Sequence, residues 1–196
     1  SYMPKIIFQI ILNKKFEIRT VRSTKNFHSN VDVFLYFSFM EIIIREGLKT
    51  DLPAVLKLIK ELADYEKALD QVSITLDELE HDGFGEHPWY WFLVAEKNDE
   101  IVGLSFYWIR YSTWKGKFLF IEDFVIKQEY RRQGVGSKLF EATIKICQKL
   151  KLNGIIWQVL DWNTPAIDFY KKYNADISSK WLNGKLTKKQ IDKICS

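Results

Sequence analysis

One stretch constrains this chain more than any other. The apolar run Phe124-Val125-Ile126 is followed by a short polar link, Lys127–Tyr130, and then by Arg131-Arg132-Gln133-Gly134-Val135-Gly136-Ser137. The pattern predicts a strand that passes through a basic, glycine-containing loop straight into a helix. Gly134 and Gly136 have no Cβ, so a ligand can approach the backbone closely there. The free N–H groups of the new helical turn point at such a ligand, and the helix dipole favours an anion. Arg131 and Arg132 add charge that can pair with phosphate. The segment reads as a diphosphate cradle; the plainer alternative is a glycine loop that only turns the chain. Spacing excludes two other phosphate loops. No Gly-Lys-Ser/Thr ends this one, and Leu139 holds the third glycine position of a dinucleotide fingerprint.

The cradle sits within a regular succession of elements. Glu41–Arg45 reads as a strand. Thr50-Asp51-Leu52-Pro53 starts a helix with a capping side chain and a first-turn proline. Its apolar stripe is Leu52, Val55, Leu56, Ile59 and Leu62. Thr75 and Glu78 form a capping box for a short second helix, which Gly83, Gly85 and Pro88 end. Trp89–Ala95, Ile101–Tyr111 and Lys117–Ile126 are strands of an antiparallel meander, separated at Asn98-Asp99 and Trp114–Gly116. Helix Gly136–Leu150, strand Gly154–Leu160, helix Asn163–Tyr173 and a last strand near Lys180–Leu186 follow. The fold class is α/β (α+β), a mixed central sheet with helices on both faces.

Charge divides the chain in two. The formal net charge is +4, and residues 1–39 hold six basic and two acidic residues, so the remainder is neutral. The main domain has no compositional call for nucleic acid. Residues 1–39 read as an extension that is non-functional or poorly ordered, with Met40 as the start of a 40–196 domain. Its apolar runs are too short to span a bilayer, so no membrane partner is expected. Cys147 and Cys195 show neither a metal spacing nor a disulfide framework, which fits a reducing, cytoplasmic setting.

The Arg-x-x-Gly-x-Gly pattern at 131–136, in its strand–loop–helix context, resembles the coenzyme A signature of the GNAT acetyltransferase superfamily. Four further blocks resemble its spermidine/spermine (diamine/thialysine) N-acetyltransferase family. They are Leu58-Ile59-Lys60-Glu61-Leu62-Ala63 with Tyr65-Glu66; Asp82-Gly83-Phe84-Gly85-Glu86-His87-Pro88; Glu122-Asp123-Phe124; and Trp162-Asn163 with Pro165-Ala166-Ile167 and Phe169-Tyr170-Lys171. The resemblance covers about residues 40–187. It implies the acyl-CoA N-acyltransferase fold, acetyl-CoA as co-substrate, no metal, a small cationic amine as acceptor, and a homodimer. It also implies that Phe124, Val125 and Ile126 pair with the pantetheine arm, that Arg132 to Ser137 hold the diphosphate, and that Asn163 contacts the coenzyme. Asn174 stands where the family has glycine, a place asparagine tolerates. The Trp157-Gln158 and Asp161 region departs from the vertebrate spermidine enzymes and leaves the preferred amine open.

The chemistry sets further demands. An amine with a pKa of about 10.4 is protonated at neutral pH and must lose a proton before it attacks a thioester. The thiolate that leaves needs a hydrogen-bond donor. The resemblance gives Tyr170 that role; periodicity alone reads it as a buried aromatic. Glu122 and Asp123 lie in an apolar strand, where adjacent residues face opposite sides, so at most one is expected to reach a given cleft; the plainer reading of a carboxylate there is a buried ion-pair partner or a bulge residue. Glu122 is the candidate for receiving the amine and helping to remove its proton; Asp123 reads as a structural or supporting substrate-side carboxylate. Tyr65 and Glu66 match family positions that hold the distal charged end, whereas composition reads Glu66 as a solvated charge. Trp157 and Gln158 are candidates to line the amine channel. His81 and His87 flank the second helix without a metal-like partner set. Competing readings are acetylation of a protein lysine or N-terminus, and a non-catalytic coenzyme A-binding module. Trp108, Trp114 and Trp181 are expected at the surface, some of them in a dimer interface.

Overall fold

The computed structural model describes residues 42–195. The expectations for residues 1–39, and the start of the first strand at Glu41, fall outside these. Strand β1 (Ile43–Glu46) leads through a 3-10 turn, Lys49–Asp51, into helix α1 (Leu52–Tyr65). Asp51 does not cap α1 as expected. Its carboxylate accepts from the Leu48 N–H at 2.7 Å and takes two hydrogen bonds from the Arg45 guanidinium, at 2.6 and 2.9 Å. Burial pushes the Asp51 carboxyl up, but Arg45 and the Leu48 amide outweigh it and hold it below the usual range. Arg45 also pairs with Glu96 at 2.6 Å, so one side chain ties β1 both to the turn that leads into α1 and to its neighbouring strand.

Helix α2 (Leu76–Phe84) starts at the reciprocal Thr75–Glu78 capping box, as expected. His81 lies within this helix rather than beside it. Strands β2 (Trp91–Lys97), β3 (Glu100–Ser112) and β4 (Gly116–Ile126) form the antiparallel meander. Asn98 and Asp99 both have positive φ, 53° and 61°, the geometry of a two-residue hairpin whose twist matches its strands. Helix α3 (Val135–Lys149), strand β5 (Ile155–Trp157) and helix α4 (Thr164–Lys171) follow. Strand β5 is shorter than the expected Gly154–Leu160. Among the described residues no strand forms over 180–186, and helix α5 (Lys188–Cys195), which sequence patterning did not suggest, closes the chain. Asn174 adopts φ 56°, the left-handed conformation that asparagine tolerates.

The sheet order is β1-β2-β3-β4-β5, antiparallel except for the parallel β4–β5 pair. Helices cover both faces. On one, Leu52, Val55 and Leu58 of α1 and Leu79 of α2 pack on Phe92, Val94, Leu104, Phe106 and Val125. On the other, Val135, Leu139 and Phe140 of α3 and Tyr170 of α4 pack on Leu93, Ala95, Val102, Leu119 and Ile121. The expected α1 stripe omitted Leu58, which is fully buried, whereas Leu56, Ile59 and Leu62 only flank the core. Burying a leucine fully contributes about 1.5–3 kcal/mol, so Leu58 is central to that face. Trp108 is not a surface residue as expected; it is half-buried on the α1 face against Phe120. Trp114 and Trp181 are exposed. Among the described residues, no helix is long and apolar enough to cross a membrane.

Candidate active site

The sheet splits where β4 leaves β5. Their parallel pairing covers only Leu119–Ile121 against Ile155–Trp157, although β4 runs on to Ile126. Beyond Ile121, one edge of β4 has no strand beside it among the described residues, and its backbone polar groups need other partners. The Ile126 carbonyl lies on that edge and accepts from Arg131 Nε at 2.9 Å. By the two-residue period, the Phe124 amide and carbonyl face the same edge, while those of Val125 face β3. The Val125 side chain packs on the α1 face, and Phe124 turns to the α3 face, stacked at 5.8 Å on Phe169.

The loop after β4 enters α3 through Gly134, whose φ of 79° and ψ of −4° are left-handed. A Cβ on Gly134 would meet nothing within 4 Å among the described residues, so its approach is open. Val135, Gly136 and Ser137 precede the first intrahelical bond, which Lys138 donates to Gly134 at 3.0 Å. Their amides are the free donors of a helix N-terminus. Arg132 also has positive φ, 60°, which bends the loop ahead of the glycine. Gln133 fastens the loop by donating to the Glu129 carbonyl at 2.7 Å. The exposed Arg131 guanidinium lies 5.4 Å from the centroid of the Tyr65 ring.

Tyr65, at the end of α1, thus meets the cradle. Its ring is 5.6 Å from that of Trp162, and its hydroxyl reaches Asn163 Oδ1 at 3.4 Å. Asn163 caps α4, accepting from the Ala166 N–H at 3.3 Å. Trp162 belonged to a recognised block but was not expected to bear on the site, because only folding brings the β5–α4 link to α1.

The acidic side of the cleft overturns the expectation of alternation. The β3–β4 register shifts at Phe106/Tyr107: Phe106 pairs with Asp123, but Tyr107 pairs with Ile121. Glu122 is therefore the extra residue of a β-bulge. Asp123 shares a face with Phe106, on the α1 side, and Glu122 also turns there, accepting from Trp108 Nε1 at 3.0 Å. Both adjacent carboxylates reach one side of the sheet. Burial, then the charges of Glu122 and Glu66, push the Asp123 carboxyl up to about 7. Glu66 is half-buried rather than solvated, and burial raises its carboxyl as well.

On the α3 face an aromatic cluster surrounds Tyr170, which is 5% exposed. Trp157 lies 4.5 Å from it, Phe169 5.3 Å and Phe140 5.6 Å, centroid to centroid. Burial pushes the phenol well above its ordinary range, so it stays protonated. No described residue bonds its hydroxyl, yet that oxygen is not sealed from solvent. Gln158 lies past the end of β5, exposed, and donates to Asn183 Oδ1 at 2.7 Å. Among the described residues no group of His, Cys, Asp or Glu could hold a metal ion.

The acetyltransferase (GNAT) family matches residues 56–175. The thialysine N-epsilon-acetyltransferase of Bos taurus is 42% identical over 147 residues, which cover 68% of this chain and 84% of that protein. The spermidine/spermine N(1)-acetyltransferase-like protein 1 of Homo sapiens is 36% identical over 145 residues, 70% of this chain but 21% of that one. An aminoglycoside acetyltransferase from an uncultured soil metagenomic sample superposes with a TM-score of 0.63 at 19% identity, covering 74% of this chain and 95% of its own, a likeness of fold alone.

Proposed function

The chain belongs to the acetyltransferase (GNAT) family, and on that premise we propose that it moves an acetyl group from acetyl-CoA to a primary amine of a small cationic acceptor: a polyamine, a diamine or a thialysine-like amino acid. The observation that carries this reading is the split between β4 and β5, which leads to the open glycine turn on one side and faces three carboxylates on the other. The coenzyme's diphosphate lies on the amides of Val135, Gly136 and Ser137, with Arg131 and Arg132 supplying charge. Its pantetheine arm pairs with the freed edge of β4 at Phe124 and Ile126, and Asn163 approaches it from α4.

Glu66, Glu122 and Asp123 attract the cationic acceptor. Tyr65 stands at the rim, and Trp157 and Gln158 lie at the β5 end of the channel. Glu122 assists amine binding and deprotonation. The neutral amine attacks the thioester carbonyl directly, and Tyr170 hydrogen-bonds the sulfur and protonates it as the C–S bond breaks. A second copy of the chain is the proposed protein partner, and the adjacent Trp181 and Leu182, 83% and 96% exposed, are apolar side chains that such a contact would cover. The free thiols Cys147 and Cys195 suit a reducing, cytoplasmic setting.

The test is coenzyme A release over spermidine, a diamine, thialysine and a lysine-containing peptide. A small cationic amine is expected to give the highest kcat/KM. Preference for the peptide would replace the acceptor class, and no release with any amine would remove the enzymatic reading of this site.

A further inference from the structure

Resting on the acetyl-transfer reading above, we infer that Asp123, rather than its neighbour Glu122, is the group that takes the proton from the acceptor amine. The β-bulge at Glu122 carries the argument. In an unbroken strand only one of two adjacent carboxylates could face the cleft. The register shift instead brings both to the α1 side and gives them different surroundings. Glu122 is exposed, and its carboxylate is held by the Trp108 indole N–H. Asp123 lies deeper, across from Phe106, and no described residue gives its carboxylate a hydrogen bond or an ion pair.

Burial raises the Asp123 carboxyl most; the charges of Glu122 on its own strand and of Glu66 at the end of α1, both negative, add to it, and together they push it up to about 7. A base is most effective when its pKa lies near the working pH, because it is then both available and strong enough to accept. An ordinary carboxylate near 4 is a poor acceptor from an ammonium group of about 10.4. Asp123 narrows that gap by its position. Glu122 then binds and orients the ammonium group and, by its charge, keeps Asp123 basic.

The step balances. The ammonium R–NH3+ gives one proton to the Asp123 carboxylate and becomes R–NH2. Its lone pair forms the N–C bond to the thioester carbon. Collapse of the tetrahedral adduct breaks C–S, and the sulfur takes the Tyr170 proton. The acetylated nitrogen loses its second proton, which restores the phenol, directly or through water. The proton on Asp123 passes to solvent, so each turnover releases one proton with the amide and the free thiol.

The test is the pH dependence of kcat/KM for the amine in the full chain and in Asp123→Asn, Glu122→Gln and Glu66→Gln. Asp123→Asn is expected to lower kcat about 100-fold or more, to remove the limb that rises near neutral pH, and to leave acetyl-CoA affinity unchanged by calorimetry. Glu122→Gln is expected to raise the amine KM and retain that limb. It also takes a negative charge away from Asp123, so the limb moves to lower pH; Glu66→Gln moves it the same way. The amine's own ionisation gives a separate limb far above, common to every variant. If Glu122→Gln abolishes the neutral limb while Asp123→Asn merely shifts it, Glu122 is the base and the inference is wrong. Should Asp123→Asn fail to fold, the direction of the Glu122→Gln shift decides alone. Wild-type protein that acetylates no amine would instead defeat the underlying reading.

Discussion

Tyr170 shows how one side chain can serve packing and chemistry at once. Its ring fills the contact between α4, α3 and β5, while its hydroxyl meets no described partner. Removing that hydroxyl leaves no buried group newly unpaired, so it costs the fold little. Tyr170→Phe is therefore expected to melt at an unchanged temperature, to bind acetyl-CoA normally, and to lose about 100-fold or more in kcat, the usual contribution of a positioned acid. Melting curves and steady-state kinetics check both halves, and near-normal turnover would remove the role. Amphipathic spacing alone could not have singled out this residue, because a helical tyrosine with no catalytic part to play packs the same way. The division of labour between Glu122 and Asp123 was equally hidden. It depends on a bulge, and a bulge is a property of two strands read together.

At the scale of elements, features made by local chemistry were legible and features made by distant pairing were not. The Thr75–Glu78 box and the Asn98-Asp99 hairpin each close within a few residues, and the structure has both. The strand–loop–helix around Gly134 is local as well. By contrast, Lys180–Leu186 has the composition of a strand but pairs with no described segment, and β5 stops at Trp157, where β4 bears away. Strand preference expresses fit to a neighbour, which a single sequence does not display. Asp51 illustrates the same limit: its spacing suits an α1 cap, but Arg45, brought close by β1, takes the carboxylate. The glycine turn itself can be tested. At Gly134 a Cβ clashes with no atom of the described residues, so a valine there acts through the strain of positive φ and by obstructing the approach. Gly134→Val is expected to weaken acetyl-CoA at least about 10-fold, which corresponds to about 1.4 kcal/mol, while the amine KM at saturating coenzyme changes little. Unchanged coenzyme affinity would show that the turn only redirects the chain.

At the scale of the whole described domain, a sheet sealed by helices on both faces is opened along one seam. The bulge, the split strands and the left-handed turn all lie on β4 or directly after it. One strand thus presents carboxylates toward α1, free backbone along its edge and a helix N-terminus at its end. Tyr65 and Arg131 touch across this seam, so α1 and the cradle meet at the rim. The measurement that bears most directly on the account is titration calorimetry of the full chain with acetyl-CoA and with acetyl-pantetheine, which carries the same thioester but no diphosphate. Saturable binding of acetyl-CoA at one site per chain is expected, competed by free coenzyme A, with acetyl-pantetheine weaker by at least about 10-fold. Well-folded protein that takes up no acetyl-CoA, or that binds both thioesters equally, would contradict it.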